Sequence, residues 1–224
     1  MSKQTIKAAI TRGNSPVEIA DVELRPSWNI APTQHVPIIV EKRDDRARLL
    51  TTARWSLVPP FADSLTLKFP TFNARSETVC EKASFRSAVV HQRAILPADA
   101  YYEWHTEGKV KTPHAVTPPE GLLAFAGIYS WWRESPTTEW VFTATILTMA
   151  APEPLAWLHD RTPVVLGRDD WDWWLNREST ANPAFIDDAV ARSIPVASEL
   201  RTHEVNPIRG DGPELLLPAS HGRL

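Results

Sequence analysis

The stretch Arg93-Ala-Ile-Leu-Pro-Ala-Asp-Ala-Tyr-Tyr-Glu-Trp104 decides the fold class of this chain. It begins with an apolar run at residues 93–97 and continues into an aromatic run at residues 100–105. Short runs of this kind, rich in aliphatic and aromatic residues, are typical of β-strands. Because similar runs follow one another closely, with few helical patterns between them, we predict an antiparallel or barrel-like sheet rather than βαβ units.

The neighbouring elements are predicted in the same way, from periodic apolar patterns bounded by turn residues. Further strands are expected at residues 36–40, 48–57, 122–130, 140–148 and 163–166. Residues 109–121 are rich in proline and predict a hairpin or a loop. Helices are expected at residues 76–90, where Ser76 can cap the first turn, and at residues 152–159 and 168–176.

The composition indicates one globular domain of the α+β class, with a few helices flanking the sheet. A length of 224 residues suits a single domain, with a weakly patterned segment at residues 1–25 and a turn-rich surface arm at residues 205–224. No apolar run approaches the roughly 20 residues of a membrane span. The N-terminus lacks the apolar core of a signal peptide. We expect a cytoplasmic monomer without a membrane partner.

The residue types predict neither a metal site nor a cofactor. The single cysteine, Cys80, excludes an internal disulfide and a cysteine-based metal site, and it fits a small buried apolar position. The histidines lack metal-ligand spacing, and the chain has no glycine-rich phosphate loop.

Charge is unevenly distributed along the chain. The net charge is −3, which by itself disfavours a nucleic-acid partner. Residues 41–93 nevertheless contain ten Lys or Arg against six Asp or Glu, whereas the rest of the chain contains fourteen against twenty-one. Such a segment can form a phosphate-binding face. The alternative is a solvated surface on which the basic residues cluster by chance.

Three polar groups from distant segments are candidates for one pocket: Asn73, Glu103 and His159. A carboxylate between aromatic residues and a histidine suit proton transfer, and an amide can orient a substrate oxygen. Each group also has a structural interpretation, because Glu103 can face solvent, His159 can end a helix and Asn73 can cap a turn. Arg75 and Arg161 can each meet a phosphate, or pair with Asp or Glu.

These residues lie in motifs through which the sequence resembles the SRAP (SOS-response-associated peptidase) family, whose members shield abasic sites in single-stranded DNA. The match runs from Ser27 to the C-terminus in eight ordered pieces. The pieces are Trp28-Asn-Ile-Ala-Pro-Thr33, Arg54-Trp-Ser-Leu-Val-Pro59, Asn73-Ala-Arg-Ser-Glu77, Phe85-Arg86, Arg93 to Trp104, Phe125-Ala-Gly-Ile-Tyr129, His159 to Leu166 and Val205 to Leu215.

The resemblance implies roles for individual residues. The equivalent of Asn73 holds the opened abasic sugar, that of Glu103 moves protons, and that of His159 assists ring opening, Schiff-base chemistry and crosslink reversal. The arginines that follow Asn73 and His159 resemble phosphate-contacting positions, and Phe61 falls at the place of an aromatic wedge. The expected contacts with single-stranded DNA are Arg54, Phe61, Arg75, Arg86 and Arg161.

The N-terminus departs from the family pattern. Members open Met-Cys-Gly-Arg and use the cysteine to form a thiazolidine crosslink with the abasic aldehyde, whereas this chain opens Met1-Ser2-Lys3-Gln4. Ser2 holds the formal catalytic position, but its neighbours do not align. Either the chain is a natural variant without the nucleophile, or its 5′ start has been lost or misassigned.

Three functions remain as alternatives. The first is SRAP-like processing or shielding of abasic sites, in which stable covalent crosslinking is in doubt because the cysteine is absent. The second is a non-catalytic DNA-binding paralogue, and the third is a peptidase or other hydrolase that uses the same pocket.

Overall fold

The computed structural model describes residues 17–220 of the chain, and strands dominate it. The strands are β1 (Val17–Ile19), β2 (His35–Glu41), β3 (Arg48–Trp55), β4 (Asn73–Arg75), β5 (Arg93–Ala98), β6 (Tyr101–Glu107), β7 (Val110–Thr117), β8 (Leu123–Trp132), β9 (Val141–Ala150), β10 (Arg161–Pro163) and β11 (Arg201–Glu204). The α-helices are α1 (Arg86–His91), α2 (Glu153–Ala156), α3 (Trp171–Leu175) and α4 (Pro183–Ser198). Short 3-10 turns lie at Ser76–Thr78, Arg168–Asp170 and Pro213–Leu216.

Five strands form a closed barrel in the order β3-β2-β5-β8-β9. Four of the neighbouring pairs are antiparallel, and the parallel pairing of β3 with β9 closes the barrel. β1 extends beside β3, while β6, β7 and β11 form a separate antiparallel sheet. The predicted α+β class with a mainly antiparallel, barrel-like sheet is therefore confirmed.

Strand β9 has two sets of neighbours along its length. Its first part pairs with β8 on one side and with β3 on the other. Its last part pairs with β10 on the first side and with β4 on the second. Because β4 and β10 are only three residues long, they depend on β9 for their positions. This strand therefore connects the barrel to the two short strands that carry Asn73, Arg75 and Arg161.

Gly127 allows β8 and its neighbours to pack closely. A Cβ at this position would lie 2.3 Å from Leu96 Cδ1 and 2.7 Å from the backbone oxygen of Thr145. The leucine can rotate away, but the backbone oxygen belongs to the β8–β9 ladder and cannot. Only glycine fits this position without a shift of the strands.

Arg93 fastens the helices to the barrel. Its side chain is 1% exposed, and it donates to the carbonyl oxygens of Trp174 and Val90, each at 2.7 Å, and of Ser179 at 2.9 Å. Burial lowers the pKa of Arg93 to about 10, so the guanidinium remains charged at neutral pH. The buried guanidinium group thus donates hydrogen bonds to backbone carbonyls of α1, of α3 and of the loop after α3, and it links these segments to β5.

The expected helix over residues 76–90 is wrong in most of its length. Ser76 begins a 3-10 turn without a side-chain cap, and the α-helix is confined to α1. The core buries both Val79 and Phe85, whose six-residue separation would place them about 120° apart around a helix. The chain instead buries both through a series of turns over residues 79–85.

The sequence patterns do not indicate the short strands β1, β4 and β11 or the helix α4, and they misplace two bounds. Of the two expectations for residues 109–121, the hairpin is the right one, because β7 pairs with β6 across a tight turn. The signal for α4 is present, since Asn182 accepts a hydrogen bond from the backbone N–H of Phe185 at 2.9 Å and Pro183 follows it in the first turn. The helix expected at residues 152–159 is confined to α2, and the strand expected at residues 163–166 begins earlier, as β10.

In residues 17–220, none of the helices combines the length and the apolar composition that a membrane crossing requires.

We expect Gly127→Ala to destabilise the fold by about 1–3 kcal/mol, the range typical of overpacking in a tight core. Gly167→Ala is the matched control and should be close to neutral, because its φ of −62° suits alanine and its Cβ would lie no closer than 3.3 Å to a neighbour. Urea denaturation of both variants and the wild type measures the difference. Equal midpoints for Gly127→Ala and the wild type would contradict the close packing at this glycine.

Candidate active site

A cavity of about 790 Å³ opens at one end of the barrel, beside the free edge of β6. It is lined by the start of β2, by the ends of β5 and β9, and by the short strands β4 and β10. The segment before β2, within residues 24–32, completes this part of the lining. Its surface is rich in aromatic rings, which come from Trp28, Trp55, Phe72, Tyr101, Tyr102, Trp104 and Phe125. Polar groups from β4, β6 and the β10 segment reach the same space.

Strand alternation places Asn73 and Arg75 in the cavity. Because β4 runs parallel to β9, Asn73 lies opposite Ile146 and Arg75 lies opposite Thr148. Ala74, between them, is fully buried in the core, so its two neighbours face the other way and line the cavity. Neither Asn73 nor Arg75 has a side-chain partner among residues 17–220, which leaves both available to a ligand.

Arg161 joins two of the sequence motifs. Its Nη1 and Nη2 donate to the two carboxylate oxygens of Glu77 at 2.5 and 2.9 Å, and Nη2 also donates to the carbonyl oxygen of Thr148 at 2.7 Å. The hydrogen bond from Arg161 lowers the pKa of Glu77. This bidentate pair links the turn after β4 to β10. Arg161 also lines the cavity, but its guanidinium group is already paired with the carboxylate of Glu77.

His159 lies just before β10 and lines the same cavity, with 43% of its side chain exposed. The backbone N–H of Arg161 donates to its Nδ1 at 2.9 Å, while Asp160 Oδ1 lies 3.0 Å from the same nitrogen. The carbonyl oxygen of Arg161 also lies 3.3 Å from this nitrogen. The N–H contact requires an unprotonated Nδ1, whereas the two oxygen contacts require a protonated one. We assign the unprotonated form, because an N–H group can only donate, the Asp160 side chain is 86% exposed and can be solvated by water, and the carbonyl contact is the longest of the three. The neutral ring then carries its proton on Nε2.

Glu103 lies on the free edge of β6 and is half-buried. Its Oε1 accepts from the backbone N–H of Trp104 at 3.1 Å, and its Oε2 has no partner in the described part of the chain. Two residues earlier, the hydroxyl of Tyr101 forms a 3.0 Å hydrogen bond with Thr162 Oγ1, which ties β6 to β10. Burial and, to a smaller extent, the charge of Glu103 raise the pKa of Tyr101 to about 12, although the Thr162 bond opposes them.

The C-terminal arm holds one wall of the cavity. Asp211 Oδ1 accepts from the backbone N–H groups of Trp28 at 2.5 Å and Asn29 at 3.1 Å. These hydrogen bonds, that of Trp28 above all, lower the pKa of Asp211. Trp28, Asn29 and Leu216 line the cavity. The residue patterns indicate only a surface segment here and miss this role; the one signal for it is the closing motif of the family resemblance.

The cavity collects five of the predicted site residues: Asn73, Arg75, Glu103, His159 and Arg161. Three others do not line it. Arg54 donates to the carbonyl oxygen of Ser56 at 3.1 Å, Phe61 is 66% exposed in the loop after β3, and Arg86 is exposed at the start of α1. Ser2 lies outside the described residues.

Neither a metal cluster nor a thiol is available to this cavity from residues 17–220. No group of three His, Cys, Asp or Glu side chains in that range could hold a metal ion. Cys80 does not line the cavity, and burial raises the pKa of its thiol. The groups that the predicted site residues bring to this cavity are an amide, a carboxylate, an imidazole and two guanidinium groups.

Sequence comparison identifies relatives of this chain. The family model described as SOS response associated peptidase (SRAP) matches residues 1–208. The abasic site processing protein YoqW of Bacillus subtilis (strain 168) is 38% identical over 160 residues, which cover 70% of each chain. The abasic site processing protein HMCES of Gallus gallus is 27% identical over 245 residues, which cover 94% of this chain and 71% of that protein. The resemblance found in the motifs is confirmed.

Solved structures share the fold. A crystal structure of a protein from Bacteroides thetaiotaomicron has a TM-score of 0.77 at 23% identity and covers 98% of this chain and 97% of its own. A crystal structure of a protein from Bordetella bronchiseptica has a TM-score of 0.73 at 24% identity, and the match covers 92% of this chain and 96% of that protein. At these identities the likeness concerns the fold alone.

Tyrosine ionisation tests the contact between Tyr101 and Thr162. The ordinary pKa of tyrosine is 10.0, whereas that of folded Tyr101 is about 12. The unfolded chain therefore loses this proton first, so the free energy of unfolding falls as the pH rises from about 10 toward 12. We expect Tyr101→Phe to lose less stability than the wild type between about pH 9 and about pH 11 in urea denaturation. An equal loss would show that Tyr101 is not the buried, hydrogen-bonded group described above.

Proposed function

This chain belongs to the SOS response associated peptidase (SRAP) family, and on that premise we propose that it binds single-stranded DNA at abasic sites and processes or shields them. The observation that supports this most strongly is the convergence of Asn73, Glu103 and His159 in one cavity, from three segments far apart in the sequence. The names of the relatives YoqW and HMCES, both abasic site processing proteins, support the choice of lesion.

The cavity suits a nucleotide that has lost its base. A single strand can rotate a bare sugar out of its path at a small energetic cost, because no base has to be unstacked. Arg75, which no carboxylate holds, can meet the adjacent phosphate, and the half-exposed ring of Trp104 can stack on a neighbouring base. Arg161 would have to share its guanidinium between Glu77 and a phosphate, so we assign the main phosphate contact to Arg75.

Glu103 and His159 have complementary roles in opening the abasic sugar. The closed sugar is a hemiacetal, and ring opening takes a proton from its C1 hydroxyl and returns one to the ring oxygen. The unpartnered Oε2 of Glu103 can accept the proton of the C1 hydroxyl and return it to the ring oxygen, while Nε2–H of His159 donates a hydrogen bond that stabilises the negative charge developing on that oxygen. The amide of Asn73 can hold the hydroxyl that forms at C4. The product is an aldehyde, and the transferred proton is accounted for.

The N-terminal residue limits the covalent chemistry that this aldehyde can undergo. After loss of Met1, the α-amino group of Ser2, with a pKa near ~8, can attack the aldehyde and lose water to give an imine. A thiazolidine also requires a thiol on the same residue, and serine offers only a hydroxyl. We therefore expect an imine formed by Ser2 to stay reversible, and stable crosslinking at this residue to be absent or greatly reduced. The family name favours a peptidase as the alternative; cleavage of an N-terminal peptide without any preference for DNA would identify it.

We expect binding to single-stranded DNA to weaken with salt, and Arg75→Ala to reduce the slope of log affinity against log salt by about 0.7, the value for one lost phosphate contact on a single strand. Fluorescence anisotropy with an abasic oligonucleotide measures this slope. Arg201→Ala is the matched control, because Arg201 is an exposed arginine on β11 outside the cavity.

Phe61→Ala tests whether the strand continues beyond the cavity, where stacking on an aromatic ring should contribute about 1–3 kcal/mol. If Arg75→Ala and Phe61→Ala both bind like the wild type, the proposed binding face is wrong.

Borohydride trapping tests the covalent chemistry. With the reductant, the imine should be reduced to a secondary amine and give a DNA adduct at the N-terminus, while the untreated sample shows little heat-stable adduct. Glu103→Gln should slow trapping by about 10²-fold or more, the usual contribution of a proton-transfer group. Glu107→Gln, an exposed carboxylate on the same strand, should have no effect.

An abundant heat-stable adduct without the reductant would refute a reversible imine. No adduct under either condition, together with retained preference for abasic DNA, would favour the non-catalytic paralogue.

A further inference from the structure

A second pocket, of about 320 Å³, lies at the other end of the barrel. It is lined by four basic side chains, two carboxylates and one histidine. Near its start, β2 lines the cavity with Val36, and it ends at this pocket with Glu41. Five residue steps of a strand span about 17 Å, so the two sites are separate.

The carboxylates of this pocket are already engaged. Arg46 lies 3.5 Å from a carboxylate oxygen of Glu41 and 3.1 Å from one of Glu178. Lys42 forms ion pairs of 2.9 and 3.2 Å with two carboxylates outside the pocket lining. Both carboxylates of the pocket are therefore paired with Arg46, and Lys42 is paired with carboxylates elsewhere.

The guanidinium groups of two arginines remain without a carboxylate partner among residues 17–220, although the backbone N–H of Arg177 donates to Glu41 Oε1 at 3.1 Å. Arg177 contacts the hydroxyl of Tyr129, which is neutral, and Arg43 has no side-chain hydrogen bond or ion pair within that range. Both side chains line the same pocket, which places the two guanidinium groups near one another. Two neighbouring cations repel one another, and an anion between them would relieve that repulsion.

A row of aromatic rings leads away from these arginines to the surface. Phe142 lies 5.2 Å from Tyr129 between ring centroids, and Trp131 stacks on Phe142 at 4.3 Å with an interplanar angle of 20°. Trp131 is 44% exposed. Since one face of its ring packs on Phe142, the exposed part of the indole offers a stacking surface for a base.

We propose that this second pocket binds a nucleotide unit, with its phosphate between Arg43 and Arg177 and its base on Trp131. Guanidinium groups suit phosphate oxygens because their N–H donors form a planar fork. The phosphate can belong to a free nucleotide or to a nucleotide within a single strand. The proposal does not rest on the abasic-site function, because it uses none of the residues of the cavity.

The experiment follows the indole N–H signal of Trp131 by NMR in the full chain at low salt, with thymidine 5′-monophosphate as the probe. The signal is assigned with Trp131→Phe. The probe should shift it, and inorganic phosphate should displace the probe. Arg43→Gln should raise the apparent Kd at least about tenfold, the loss expected for a charge-assisted hydrogen bond. Arg209→Gln, an exposed arginine outside this pocket, should leave it unchanged.

Arg43 is exposed and holds no other described group, so this variant should fold as the wild type does. Displacement of the probe by oligothymidylate would assign the phosphate to a strand, and failure to displace it would assign the site to free nucleotides. An unshifted Trp131 signal at millimolar probe, or an unchanged Kd in Arg43→Gln, would overturn the proposal.

Discussion

The backbone hydrogen bonds of β9 are the constraint on which the rest of the structure depends. A strand offers one row of hydrogen bonds on each side, and β9 divides both rows between two partners, β3 and β4 on one side and β8 and β10 on the other. The first half of the strand closes the barrel. The second half holds the two short strands that bring Asn73 and Arg161 to the cavity. The same strand therefore closes the barrel and positions the site residues. Because β4 and β10 pair with the part of β9 that follows the barrel closure, the cavity lies at the end of the barrel.

Arginine serves two purposes in this molecule, and its partners distinguish them. Arg93 is buried and satisfied by backbone carbonyls, and Arg161 is paired with Glu77. These two residues hold elements together. Arg75 and Arg43 face cavities without a partner in residues 17–220, so their charge is available to phosphate. A net charge of −3 therefore does not conflict with a nucleic-acid partner, because binding depends on which cations are uncompensated at a particular place.

Much of the fold could be predicted from local patterns, because strands leave short apolar runs that a reader can count. The parallel closure of β3 on β9 could not, since it joins residues about ninety positions apart and leaves no local signal. The sequence motifs identify the candidate site residues Asn73, Glu103 and His159. The structure shows that these residues line one cavity. Residue types alone could not show that Glu77 holds Arg161, or that Asp211 fixes the wall at Trp28, because each contact joins distant segments. The start of α4 does carry a local signal, because Asn182 and Pro183 are typical of a helix N-terminus.

The central claim is that an abasic sugar enters the cavity formed by β4, β6 and β10. The most direct measurement is a crystal structure of the protein with a short single strand that carries one abasic site. We predict the sugar inside the cavity, with its oxygens within hydrogen-bond distance of Asn73, Glu103 and His159 and a neighbouring phosphate on Arg75. A strand bound elsewhere on the surface, with the sugar outside an empty cavity, would contradict this claim.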